Sequence, residues 1–210
     1  MVVLAGAGVV AGACARAIAD SWLRRHGYRP VTTRWCAPQC AVATGWVVVG
    51  VLNTSVVQLI SGLAVVWWCI AISTVDLAVR RLPNSFTLPG HAVVMVYATV
   101  SGTVWAAAMG SVLLAGIHLL AHVMSPRSMG LGDVKLSLPL GGLTGLVGAD
   151  AWLWSLASAS VLTAALGIVL ELRRRLERRN SGPVAHNSPI AHGPSMCLAA
   201  CGSIAFAWWT

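Results

Sequence analysis

The chain has 210 residues, of which 57% are hydrophobic and only 10% charged, with a mean hydropathy of +0.77. That balance excludes an ordinary soluble domain, where about a quarter of residues are charged. The net charge of +8 does not point to nucleic acid, because Lys and Arg gather in short clusters between apolar runs, as in the cytoplasmic loops of a membrane protein.

The apolar runs are continuous, without the alternation of a β-barrel strand, so helices are expected. The opening stretch MVVLAGAGVVAGACARAIAD has no basic region ahead of its apolar run and no convincing cleavage site. It reads as a retained span over about 2–19 and not as a signal peptide. A basic segment follows, DSWLRRHGYRPVTTRWCAPQC. The apolar stretch 41–77 is too long for one helix, and its polar dip NTSVVQ marks a turn between spans near 41–56 and 60–76. After DLAVRRLPNSFT come spans near 88–106 and 108–124, with the break expected around Met109-Gly110. SPRSMGLGD leads to a short span at 134–149, a turn at Asp150 and a span near 151–170. The basic segment ELRRRLERRNSGPVAHNSP precedes a last span over about 190–209.

The expected fold is therefore all-α: one polytopic membrane bundle of about eight transmembrane helices. Charge supports this count. With both termini outside, the inner loops are 20–40, 77–87, 125–133 and 171–189, and every Lys and Arg from Arg16 to Arg179, including Arg34 and Arg127, falls in or within a turn of them. A seven-span path would put a basic cluster outside. The ten Trp fit interfacial anchoring or lipid-facing packing. The six cysteines (14, 36, 40, 69, 197, 201) form no disulfide framework, and Cys197 and Cys201 share a helix face as small packing residues.

Only six acids are present. Glu171 and Glu177 balance a basic helix end, Asp20 closes the first span, and Asp150 marks an outer turn. Asp76 and Asp133 remain, at the inner ends of two different helices. Each has a plain structural explanation. Asp76 can pair with Arg80 four residues on, worth about 0.2–0.5 kcal/mol on an exposed helix. Asp133 can cap a helix N-terminus for about 1 kcal/mol. Together they fit these explanations less well, because acids at membrane depth are costly and tend to be functional. Two adjacent carboxyls cannot readily both ionise, so one activates water while the other donates a proton. Gly130 and Gly132 beside Asp133 leave room for a substrate strand to approach.

DLAVRRLPN (76–84) resembles the Asp-x4-[Lys/Arg]-[Ile/Leu]-Pro-[Asn/Asp] signature of type IV prepilin peptidases. GLGDVKL (130–136) is similar to their Gly-x-Gly-Asp-x-Lys signature, and IAHGPSMCLAACG (190–202) resembles the Ile-Pro-Phe-Gly-Pro stretch that opens their last span. The resemblance covers roughly 60–209, with a thinner echo at Gly12-Ala13-Cys14. It implies a single membrane-embedded peptidase domain over 1–210, with 60–209 as the catalytic bundle and 20–40 as a short cytoplasmic loop. The implied activity is that of an aspartic endopeptidase of the bacterial plasma (inner) membrane. It would remove short basic leaders from membrane-anchored prepilin-like or pseudopilin proteins, after a glycine preceding their hydrophobic segment. Asp76 and Asp133 become the catalytic pair, with Gly130, Gly132 and Lys135 supporting the second aspartate; Lys135 equally fits snorkelling to the headgroups. Pro83 and Asn84 shape the turn into the fourth span, and Gly193-Pro194 starts the last helix. The expected partners are these substrates and the lipid bilayer, with no nucleic acid.

The sequence also departs from the family pattern. His192 stands where the family has an aromatic residue. Larger members carry a zinc-binding insert with two Cys-x2-Cys pairs and also N-methylate the product with S-adenosylmethionine. Here the loop 20–40 offers only Cys36 and Cys40, short of the usual four zinc ligands. No metal and no cofactor is expected, and N-methyltransferase activity is not. Two readings from other classes stay open: a secondary transporter with coupled carboxylates, and a non-catalytic membrane scaffold.

Overall fold

A computed structural model describes residues 1–30, 36–52, 55–126, 129–181 and 192–209. Among them are eight helices: α1 (Val2–Arg25), α2 (Ala37–Leu52), α3 (Val56–Val79), α4 (Asn84–Val100), α5 (Val104–Met124), α6 (Leu131–Val147), α7 (Ala149–Ser181) and α8 (Gly193–Trp209). Each expected span has its helix. Four of them, α1, α3, α5 and α7 as far as Arg173, are long and apolar enough to cross a membrane. The outer surface is correspondingly apolar: Val112, Leu113, Leu120 and Val123 of α5 and Val161 and Ile168 of α7 are exposed. The buried positions are mostly small residues, among them Ala15, Ala19, Ala71, Ala98, Ala107 and Ala200. Large apolar residues outside and small ones between helices are what a lipid solvent favours, since helices there associate by close packing and not by escape from water. This is a membrane protein.

Glycine sets the closest contacts. A side chain on Gly110 of α5 would run into the backbone carbonyl of Gly141 on α6, one on Gly141 into that of Gly110, and a Cβ on Gly145 would sit 2.7 Å from the Ala106 carbonyl oxygen. In α1 the pair Gly8 and Gly12 plays the same part against α2, with Cβ positions 2.6 Å from Ala43 Cα and 2.5 Å from Gln39 Cα. Small residues four apart on facing helices let the backbones touch. The echo at Gly12 is thus a packing position.

This explains the displaced break between the fourth and fifth spans. The expectation of a turn at Met109-Gly110 is incorrect: α4 ends at Val100, α5 begins at Val104, and Gly102 turns the chain with φ +73. Gly110 serves close packing inside α5. The turn expected at Asp150 likewise falls at Gly148, whose φ of +148 suits glycine, and Asp150 sits in the first turn of α7.

Four tryptophans do more than face lipid. Trp46, Trp67, Trp68 and Trp152 donate their indole N–H to the backbone carbonyls of Leu63, Ala11, Phe86 and Gly110, at 3.0, 2.9, 3.2 and 3.0 Å. Trp105, Trp154 and Trp209 are exposed, as an anchoring role requires. Of the acids given plain roles, Asp20 pairs with Arg16 at 3.7 Å and Glu171 with Arg175 at 3.1 Å. The expectations for Arg34, Arg127, the Asn53-Thr54 part of the turn and residues 182–191 lie outside the described residues, as does the side chain of Glu177.

The helices run alternately between two ends. At one end Gly50 lies against Leu4, and Gly62 against Trp208. At the other, Arg81 donates to the Tyr28 hydroxyl at 3.2 Å, and the last turn of α3 meets the first residue of α8.

Candidate active site

Asp76 lies in the last turn of α3, three residues before its end. The helix stops because Arg80 adopts a left-handed conformation (φ 52, ψ 38), its N–H donating to the Asp76 carbonyl at 2.7 Å. The chain then turns through Leu82 and Pro83 into α4, with Pro83 as its N-cap residue in extended conformation. Pro83 thus stands where the turn enters α4.

Asp76 is 4% exposed. No ion pair with Arg80 forms among the described residues; instead Asp76 Oδ2 accepts the backbone N–H of Gly193 at 3.1 Å. Gly193 is the first residue of α8, where N–H groups have no partner within the helix and the helix dipole is positive. The approach requires glycine. A Cβ there would stand 2.7 Å from Asp76 Oδ2 and 3.2 Å from Cγ. Sequence reasoning placed Gly193 at the helix start but missed this contact, which joins residues 117 positions apart and leaves no local signal.

Asp133 sits in the first turn of α6, before the apolar stretch that opens at Val134. It is not the N-cap residue; Gly130 is. Asp133 Oδ2 accepts the Gly130 N–H at 3.3 Å while the Asp133 N–H donates to the Gly130 carbonyl at 3.1 Å. Glycine has no side chain to reciprocate, so half of a capping box forms. Gly132 is a contact point, with Leu82 Cβ 3.1 Å from where its Cβ would be. The Arg81–Pro83 turn therefore presses on the Gly-x-Gly-Asp start of α6.

Lys135 neither reaches Asp133 nor hangs free. Its ammonium donates to Asn84 Oδ1 at 2.9 Å, tying the start of α6 to the start of α4. Asn84 thus joins Pro83 in holding the turn. Because the bond is exposed and Lys135 carries no charge to Asp133, Lys135→Gln, which keeps a donor, should act within about threefold of wild type, and Lys135→Met should lose at most about tenfold. Cleavage rates of the three proteins check this; a hundredfold loss in Lys135→Gln would restore Lys135 as a charge acting on the aspartate.

The two acids face each other electrostatically. Burial first, and then the Asp76 carboxylate, push the Asp133 carboxyl up to about 6, against a smaller lowering by the Gly130 N–H. A pair in which one member keeps its proton to higher pH than an ordinary carboxylate can give and take protons in one reaction. Both members sit at helix ends, at the end of the bundle that carries Arg80, Arg81 and Lys135. Cys36 and Cys40 lie one turn apart at the entry to α2, both exposed and free. Among the described residues no three His, Cys, Asp or Glu gather as metal ligands.

A helical membrane bundle with a carboxylate pair at one end, each carboxylate held by a glycine N–H, defines the class. The profile of the type IV leader peptidase family matches residues 63–169, half of the chain and the stretch that holds both acids. The chain belongs to that family. It is also similar to the Prepilin leader peptidase/N-methyltransferase of Stutzerimonas stutzeri, 28% identical over 153 residues, covering 70% of this chain and 48% of the relative. The chain thus spans about half the length of the curated relative it matches. No solved structure matches.

Proposed function

We propose that the chain is a membrane-embedded aspartic endopeptidase that removes the leader from prepilin-like or pseudopilin proteins at the cytoplasmic face of the plasma membrane, with Asp76 and Asp133 as its catalytic pair. The observation that carries this reading is that the two acids lie in terminal turns at one end of the bundle, where the Asp76 carboxylate acts on the Asp133 carboxyl. The carboxylate of one takes a proton from water as the water attacks the scissile carbonyl, while the protonated partner gives its proton to the carbonyl oxygen. The first acid, now protonated, donates to the leaving amine as the partner takes a proton back from the tetrahedral diol. No side-chain nucleophile is needed. The turn 80–84 packs on the Gly130–Gly132 stretch beside the pair, with Leu82 against Gly132. Eight spans with both termini outside put this basic end in the cytoplasm, by the one-sided placement of Lys and Arg. A transporter would hold its acids near the bilayer midplane, whereas Asp76 and Asp133 lie in terminal turns.

The test is cleavage of a single-span protein bearing a Lys- and Arg-rich leader that ends in glycine, by the purified chain in detergent or liposomes. N-terminal sequencing of the product should place the cut directly after that glycine. An intact substrate would sink the proposal.

The second half of the family's chemistry is expected to be missing. The expected loop 20–40 is shortened at both ends by α1 and α2, leaving 26–36 between them, far fewer than the roughly 40 residues that make even a marginal domain, and two thiols fall short of a structural zinc site. The mature product should therefore carry no methyl group when S-adenosylmethionine is supplied, and Cys36→Ser with Cys40→Ser should still cleave. Mass spectrometry decides this: a methyl increment dependent on the chain and on S-adenosylmethionine contradicts it, as does loss of cleavage in the serine variant.

A further inference from the structure

His192 immediately precedes the glycine that holds Asp76, and its ring is engaged. Nδ1 of His192 lies 2.6 Å from the Thr163 hydroxyl of α7, and that hydroxyl lies 2.6 Å from the Ser195 hydroxyl of α8. Ser195 in turn donates to the His192 carbonyl at 2.7 Å, which also accepts the Met196 N–H at 3.2 Å.

The directions of these bonds are fixed by counting hydrogens. A carbonyl only accepts, so the single Ser195 hydroxyl hydrogen goes to His192. Ser195 Oγ must then accept from Thr163, whose one hydrogen is thereby used. Thr163 Oγ1 can face His192 Nδ1 only as an acceptor, so Nδ1 carries the hydrogen. The result is a closed ring of donors that starts on the His192 imidazole, passes through Thr163 and Ser195, and ends on the His192 carbonyl. His118 across the helix interface has its own Nδ1 bound to the Leu114 carbonyl at 2.8 Å and its ring centre 6.1 Å from that of His192. It packs beside the ring without entering it.

The geometry points to His192 and Thr163 as positioning residues for Asp76. The ring clamps the entry of α8 onto α7, and the next residue along, Gly193, delivers its N–H to Asp76 Oδ2. With no side chain on Gly193 and no N–H on Pro194, the first turn of α8 has little else to fix where that N–H points. Ser195 is buried, while Thr163 and His192 are half-buried, so water does not freely replace a lost member. Neither residue touches the reacting atoms; they act through the backbone. The inference rests on the peptidase reading for its kinetic readout only.

The test uses full-length Thr163→Val, Thr163→Ser, His192→Leu and His192→Asn, the last keeping an N–H donor close to the position of Nδ1. Thr163→Val and His192→Leu should lose on the order of tenfold or more in kcat with KM nearly unchanged, as expected when a reacting group is displaced slightly. Thr163→Ser and His192→Asn should recover most of it. The infrared carboxyl band of Asp76, assigned by its loss in Asp76→Asn, is read on the same samples and needs no substrate. It should shift in the first two variants and return in the second two. Equal kcat in all four proteins, or an unmoved Asp76 band in Thr163→Val, overturns the inference. If wild type fails to cleave, the peptidase reading falls while the infrared band still decides the positioning role.

Discussion

Replacing either acid, as Asp76→Asn or Asp133→Asn, is expected to reduce leader cleavage by at least about a thousandfold while leaving the protein folded in the membrane. Asparagine matches the size of the carboxyl and still accepts the N–H of Gly193 or Gly130, so the packing is kept. It cannot cycle a proton, and removal of one acid–base group costs about 100- to 10,000-fold. Stability should move the other way for Asp133. Its carboxyl titrates at about 6 in the folded protein, above an ordinary carboxylate near 4. The folded state thus favours the proton, and the stability this provides is complete below about pH 4 and is lost as pH rises through about 6. Above that range Asp133→Asn, which has no charge to bury, should melt at a higher temperature than wild type; near pH 4 the advantage should vanish. Thermal unfolding at the two pH values, beside the cleavage rates, checks both halves. Full activity in either variant would return that acid to a structural part.

Gly193→Ala is expected to lose on the order of a hundredfold in kcat. The added Cβ would stand 2.7 Å from Asp76 Oδ2 and 3.2 Å from its Cγ, so the carboxyl or the start of α8 must move. Either movement disturbs the 3.1 Å bond from the Gly193 N–H. Gly202 on the same helix is the control. Nothing lies within 4 Å of a Cβ there, and alanine in a helix interior is favoured over glycine by about 1 kcal/mol. Gly202→Ala should therefore keep full activity and unfold at slightly higher temperature. Equal activity of the two alanine variants would mean that the Gly193 contact has no part in catalysis.

Sequence alone determined the broad architecture. Continuous apolar runs specify helices in lipid, because a backbone in hydrocarbon must satisfy its own hydrogen bonds, and eight expected spans found eight helices among the described residues. Scarcity made the acids legible: with six in the chain and four given local roles, Asp76 and Asp133 stood out without a structure. Tertiary structure decided what each glycine is for. Glycine permits both a turn and a close contact, and the local sequence does not distinguish them; Gly110 proved to be a contact with α6, and Gly102 and Gly148 the turns. It likewise decided the partners of polar groups far apart in the chain. Lys135 found Asn84, Asp76 found the Gly193 N–H, and Thr163 found His192. Hydrogen-bond partners depend on how neighbouring helices are rotated and staggered, and those are set by the packing of small residues between helices, which only the folded bundle displays.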